Sequence, residues 1–338
     1  MKRNMKQWTL DMLASPTKKP MPVLSFPAIQ MMGITVKELI SDSDLQAKGM
    51  KMVADRIDSA ASVSLMDLSL EAECFGSTIR FSDDEVPTVI GSVVSSEEEA
   101  EALEIPEIGA GRTSIYIEAI EKAAKLICDR PIFAGVIGPF SLAGRLLDVS
   151  EAMIYCYEEP DMVHIVLDKV TRFIIKYILE YKRVGANGVV IAEPLAGLLS
   201  PDLAAEFSCE YMKKIVDAVQ DDEFIVVYHN CGNCTIRQID SILTIGAPIY
   251  HFGNAIDMEE MMTHIPEGIL ASGNVDPAAQ FRNGTVESIK KETKDIMSKC
   301  CKYPNFIISS GCDIPPMSKW ENIDAFFEAA AEFYAENR

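Results

Sequence analysis

The residues best suited to chemistry lie in one short run, YHNCGNC at 228–234. On a strand, residues i and i+2 share a face, so His229 and Cys231 can reach one ion together. Cys312, 81 residues beyond Cys231, is the candidate third ligand. Two thiolates and an imidazole suit zinc in a tetrahedral site, and three protein ligands leave a fourth position open for substrate. Cysteines are also common as small buried hydrophobes and histidines as hydrogen-bonded core residues, and spacing alone leaves that reading open. Cys234 forms a Cys-x-x-Cys pair with Cys231, which makes it a competing ligand or half of a redox dithiol. Cys74, Cys128, Cys156, Cys209, Cys300 and Cys301 have no histidine or cysteine at ligand spacing and read as structural. His164 and His264 read as solvated, and His251 as a core residue or a support for a metal ligand.

Elements of the right kind to position such a site recur along the chain. Eight short apolar runs read as strands, at 21–27, 62–69, 132–139, 188–194, 224–230, 249–253, 268–275 and 306–312. Most are continuous, not alternating, as expected of parallel strands covered on both faces. Helical stripes lie between them, one through Val163, Val166, Val170, Ile174 and Ile178, another through Leu203, Phe207, Ile215 and Val219. Ser200-Pro201 is a helix N-cap followed by its first residue. Eight β units alternating with helices predict an α/β fold, a (β/α)8 TIM barrel over residues 21–338, preceded by a helical extension over 1–20. The stretch 83–130, with the acidic run SSEEEAEALE at 95–104, reads as a surface excursion.

Barrel active sites form at the C-terminal ends of the strands, and here those ends are polar. They carry Asp67, Glu193, His229, Cys231, Asn254, Asn274 and Cys312. Glu193 could orient a thiol, accept its proton or occupy a vacant metal position; it could equally be a rim carboxylate in a hydrogen-bond network. Asn254 and Asn274 could donate to a polar substrate tail and Arg145 could pair with a sulfonate or carboxylate, or any of them could simply cap a loop.

Composition bounds the partners. The chain has 338 residues, 48% hydrophobic and 24% charged, with 31 basic against 51 acidic residues for a net charge of −20. That field repels nucleic acid and anionic membrane surfaces. Neither an export signal nor an apolar run of about 18 residues is present, which predicts a cytoplasmic protein with no membrane partner. Nine cysteines, an odd count, then read as free thiols or metal ligands.

With DLSLEAECFG at 67–76, GPFSLAGRL at 138–146, EPLAGLLSP at 193–201, HNCGN at 229–233, GNVDP at 273–277 and SSGCDIPP at 309–316, the chain resembles the uroporphyrinogen decarboxylase superfamily. Within it, the resemblance is to the methylcobamide:coenzyme M methyltransferase branch. It implies a TIM barrel and a zinc ion bound by His229, Cys231 and Cys312. Asp67 aligns with the catalytic aspartate of the decarboxylases. Their arginine-rich stretch after the first strand reads SFPAIQMMGITVKEL here and contains no arginine. The implied activity is zinc-dependent methyl transfer between a methylated corrinoid protein and a thiol such as coenzyme M. The methylcobalamin would arrive on that partner protein, because this chain lacks the Asp-x-His-x-x-Gly corrinoid signature. The same triad would serve the opposite half-reaction, from a methoxy, methylamine or methylthio donor to the corrinoid. A metal-free decarboxylase using Asp67 and a non-catalytic corrinoid-protein binding module are the remaining alternatives.

Overall fold

Runs of β-branched residues form a curled parallel sheet in the computed structural model, which describes residues 2–337. Met1 and Arg338, the ends of the two expected segments, lie outside the described residues. The first strand is β1 (Ser62–Val63), followed by a small antiparallel hairpin of β2 (Thr78–Arg80) and β3 (Thr88–Ile90). The rest of the sheet is β4 (Ile132–Ile137), β5 (Gly188–Ala192), β6 (Ile225–Asn230), β7 (Ile249–Phe252), β8 (Leu270–Val275) and β9 (Phe306–Ser310), in the order β1-β4-β5-β6-β7-β8-β9. Helices cover its outer face, the longest being Pro160–Val184, whose predicted stripe of Val163, Val166, Val170, Ile174 and Ile178 is fully buried. This is the TIM-barrel architecture read from the strand count.

Side chains of period two divide the strands between two cores. Val189, Ile191, Val226, Tyr228, Tyr250 and Phe252 pack outward against the helices. Phe133, Val190, Ala192, Ile225, Val227, Ile249, Leu270 and Ile307 fill the barrel interior. Helix Met5–Ala14 closes the bottom: Met5 is buried in the interior cluster, and the Trp8 ring meets Phe133 edge-on at 5.9 Å.

The expected first strand, 21–27, is not a ladder strand, although the segment occupies its place. Met21 N donates to Ile308 O at 3.1 Å on the β9 side, and Ala60 N donates to Pro20 O at 2.9 Å on the β1 side. Pro20, Pro22 and Pro27 have no N–H to give, so a regular ladder cannot form. Serine hydroxyls substitute: Val23 N donates to Ser310 Oγ at 3.2 Å, and Ser25 Oγ donates to Val63 O. The expected strand 62–69 keeps its ladder only over β1, because Ser64 Oγ accepts Gly135 N at 2.9 Å and the chain then turns away. The excursion over 83–130 holds β3, paired with β2 just before it, and helices Glu97–Ala102 and Thr113–Leu126. No helix among the described residues is long and apolar enough to cross a membrane.

Candidate metal centre

The inward columns of the barrel are apolar below and polar above. On β6 the column Ile225, Val227 ends in His229, on β7 Ile249 is followed by His251, and on β9 Ile307 is followed by Ser309. His229 pairs in register with His251. Cys231 follows β6 on the same face, and Cys312 follows β9. One ligand atom from each of His229, Cys231 and Cys312 falls within 4.8 Å of the other two. The structure therefore brings the predicted triad together.

Hydrogen bonds fix which nitrogen of His229 is free. Ser309 Oγ donates to the carbonyl of Met21 at 2.8 Å, which uses its only proton. It must then accept from His251 Nε2, 2.8 Å away. Burial and the neighbouring His229 hold His251 well below the usual imidazole range, so it is neutral and its Nδ1 carries a lone pair. That lone pair accepts Nδ1–H of His229 at 2.7 Å. His229 Nε2 is left as a lone pair, 3.5 Å from Cys312 Sγ.

The two thiols are shifted in opposite directions. A hydrogen bond from Cys312 lowers the Cys231 thiol against the effect of burial. That same bond, with burial, pushes Cys312 up to about 12. One imidazole lone pair and two soft sulfurs on one wall suit a thiophilic divalent ion. Cys234 stays outside this cluster, its Sγ accepting from Arg237 at 3.1 Å.

The triad opens onto a cavity of about 330 Å³. Its walls are mainly apolar, including Val23, Met66, Leu68, Ala192, Pro194 and Pro315. Arg145 lines it, as the sequence suggested. Arg282, Glu85 and Asp313 line it too, and no spacing signal marked them. Arg282 is paired with Glu85 at 2.8 Å, and burial raises the Asp313 carboxyl well above its ordinary range.

The other expected residues lie elsewhere. Glu193 takes the outward parity of β5 and is completely buried at the start of helix Pro139–Leu147. Its carboxylate accepts Phe140 N at 2.7 Å, Ser141 N at 2.9 Å and Ser208 Oγ at 3.0 Å. Burial raises its pKa despite those bonds. Gly138 is required there, since a Cβ would sit 2.3 Å from Glu193 Oε2. Asp67 is buried against Arg112 Nη1 (2.5 Å), Tyr116 Oη (2.9 Å) and Ser69 Oγ (2.6 Å), while its neighbours Met66 and Leu68 face the cavity. Asn254 donates to Asp276 at 2.8 Å, and Asn274 donates to the carbonyls of Gly253 and Ile256, so both tie loops together beside a separate cleft. His164, expected in solvent, is half-buried: it stacks on Phe207 and hydrogen-bonds Tyr211 at 2.8 Å.

A family model described as uroporphyrinogen decarboxylase (URO-D) matches residues 17–333. The chain belongs to the URO-D family. Relatives of two kinds match it. Methylcobamide:CoM methyltransferase MtbA of Methanosarcina acetivorans is 30% identical over 275 residues, covering 79% of this chain and 78% of that protein. A uroporphyrinogen decarboxylase of Prochlorococcus marinus is 31% identical over 220 residues, covering 62% of each. A solved structure described as a methyltransferase from Methanosarcina mazei superposes with a TM-score of 0.85 at 25% identity, covering 98% of this chain and 99% of that one. Within the URO-D family, the likeness thus extends further along the chain for the methyltransferase than for the decarboxylase.

Proposed function

We propose that this chain is a zinc-dependent corrinoid methyltransferase that moves a methyl group between a methylated corrinoid protein and a thiol such as coenzyme M. The observation that carries the reading is the convergence of the His229 Nε2 lone pair with Cys231 and Cys312 on a cavity wall. The name of the methylcobamide:CoM methyltransferase relative supplies the substrate classes. Residues 21–338 are taken as one catalytic domain, with the preceding helical segment as its lower plug.

When bound by His229, Cys231 and Cys312, zinc supplies the positive charge that keeps a substrate thiol deprotonated at neutral pH. The chain's own residues set the conditions for this. Cys231 and Cys312 as thiolates balance the ion's charge, which leaves electron density on the substrate sulfur. His251 and Ser309 hold His229 in the ligating tautomer. The mainly apolar walls would limit water around the thiol. The corrinoid partner would supply the methyl group as the substrate, its carbon passing to sulfur while the bonding electron pair stays with the corrinoid and the thiol proton is released. A cavity of about 330 Å³ sits at the small end of ligand pockets and accommodates a small thiol, not a corrin macrocycle. The corrinoid would therefore meet the thiol at the cavity mouth, carried there by the partner protein proposed above. Decarboxylation through Asp67 is disfavoured, because that carboxylate is engaged by Arg112 and Tyr116 and does not line the cavity.

The test is zinc stoichiometry in protein purified without chelator, for the wild type and for Cys312→Ala, followed by methyl transfer from methylcobalamin to coenzyme M. About one zinc per chain, lost in the variant, and thiol methylation by the wild type support the reading. A wild type without zinc, or a Cys312→Ala variant that keeps it, refutes it.

A further inference from the structure

The cavity contains an unpaid cation. Two arginines line it, and Arg282 is neutralised by Glu85 at 2.8 Å. Arg145, near the end of helix Pro139–Leu147, forms no ion pair with any described residue. Its Nε is hidden from solvent and has no hydrogen-bond partner.

Two acidic side chains exert a field on Arg145, and neither compensates it. Asp67 is committed to Arg112 and Tyr116. Glu71 is buried without a partner for Oε2, and burial raises its carboxyl to about 8, so it is mostly protonated at neutral pH. Burial also opposes the charge on Arg145 itself. A guanidinium does not shed its proton in proteins, so the charge stands half-buried and without a carboxylate partner. In a chain of net charge −20, carboxylates are abundant, yet none is placed to meet it. A guanidinium on the wall of a mainly apolar cavity is complementary to an oxyanion.

We propose that Arg145 anchors an anionic tail on the substrate thiol, so that the cavity selects small thiols carrying a sulfonate or carboxylate at the end opposite the sulfur. This rests on the reading of the triad as a thiol site. It adds the residue that reads the charge of the substrate.

The test compares wild type, Arg145→Met and Arg145→Lys. The thiols are 2-mercaptoethanesulfonate, 3-mercaptopropionate and neutral 2-mercaptoethanol, with methylcobalamin as donor. A second readout is calorimetric titration with ethanesulfonate, which has the anion and no thiol. Wild type should show a KM for the preferred anionic thiol about 10- to 100-fold below that for 2-mercaptoethanol, as expected of a charge-assisted pair in a water-poor site. Which anion is preferred distinguishes a sulfonate substrate from a carboxylate one. In Arg145→Met the ratio should collapse toward one, ethanesulfonate binding should vanish, and zinc content should be retained. Thermal stability should stay level or rise, because an unpaired cation is replaced by an apolar side chain of similar length. An arginine kept for structure would instead lower it. Arg145→Lys, which keeps the charge without the fork, should weaken the anionic thiol several-fold. Should the methionine variant not fold, that loss or its absence decides.

A wild type that does not discriminate charge, or a ratio that survives in Arg145→Met, overturns the proposal. If the wild type methylates no thiol at all, the methyltransferase reading fails separately. Arg145-dependent binding of ethanesulfonate would then still support the anchor, and no binding would overturn it.

Discussion

His251→Phe removes the acceptor that holds the proton of His229 on Nδ1. The phenyl ring fills most of the space and leaves the interior packing intact, but the bond of 2.7 Å between the two Nδ1 atoms is lost. His229 then has two choices. It can keep its proton on Nδ1 as a buried unsatisfied donor, at a cost of about 1–3 kcal/mol. Or it can move the proton to Nε2, which blocks the metal. Zinc binds only the first state, so its affinity should fall by about 10- to 100-fold, the range typical of lost outer partners of metal-binding histidines. Competition with a chromophoric zinc chelator at fixed pH measures this directly, with thermal unfolding of the apo forms as a control. His251→Gln, which can offer a carbonyl acceptor, should recover part of the loss. A phenylalanine variant that binds zinc within threefold of wild type while melting normally would refute the tautomer argument.

The remaining outcomes concern carboxyl groups that line no part of the metal site. Asp67→Asn breaks an ion pair in which the aspartate side chain is 0% and the arginine 9% exposed. It should cost about 3 kcal/mol in urea denaturation, while the folded variant keeps its zinc; a loss of zinc without a loss of stability would contradict the assignment. Glu71→Gln tests a buried carboxyl raised from 4.5 to about 8. Because the folded state holds its proton more tightly than the unfolded one, wild-type stability from this group is complete below pH 4.5 and is lost as the pH rises toward 8. The variant should therefore match wild type in acid and exceed it by a few kcal/mol near pH 8. Parallel stability curves across that window would show that Glu71 ionises normally.

The triad was legible because it needed only two facts: strand parity puts His229 and Cys231 on one face, and barrel topology puts the end of β9 close to them in space. Parity also marks Glu193. It follows Val189 and Ile191, which face the helices, while Val190 and Ala192 face inward, so its carboxylate had to leave the barrel and cap helix Pro139–Leu147. Asp67 was not legible in this way. Val63 faces inward, and unbroken alternation would have carried Asp67 into the cavity. The ladder stops after two residues, the phase shifts, and Met66 and Leu68 take the inner positions. Arg145 was visible as a residue type, but its lack of a partner depends on where Glu71, Asp67 and Arg112 come to rest. Arg282 and Glu85 meet across 197 residues of sequence, with no motif to connect them.

The prolines that deny the first segment its ladder also shape the metal site. With Pro20 and Pro22 on either side, Met21 has its own N–H engaged by β9 and a carbonyl that accepts the Ser309 hydroxyl. That acceptor starts the chain Ser309, His251, His229 that ends in the ligating lone pair. Ser309→Ala should therefore weaken zinc although Ser309 touches neither a ligand nor the cavity. Without the hydroxyl, His251 either leaves Nε2–H unsatisfied or moves its proton to Nδ1, where it donates to His229 and drives the proton of His229 onto Nε2. The first route leaves His229 ready to ligate but costs about 1–3 kcal/mol; the second avoids that cost and must be reversed for zinc to bind, so affinity should again fall by roughly 10-fold or more. Since the serine acts only through His251, the double variant Ser309→Ala/His251→Phe should bind zinc no more weakly than His251→Phe alone, a coupling about as large as the serine effect itself. Additive losses would mean that Ser309 supports the site by packing, and that the proton arrangement does not run through it.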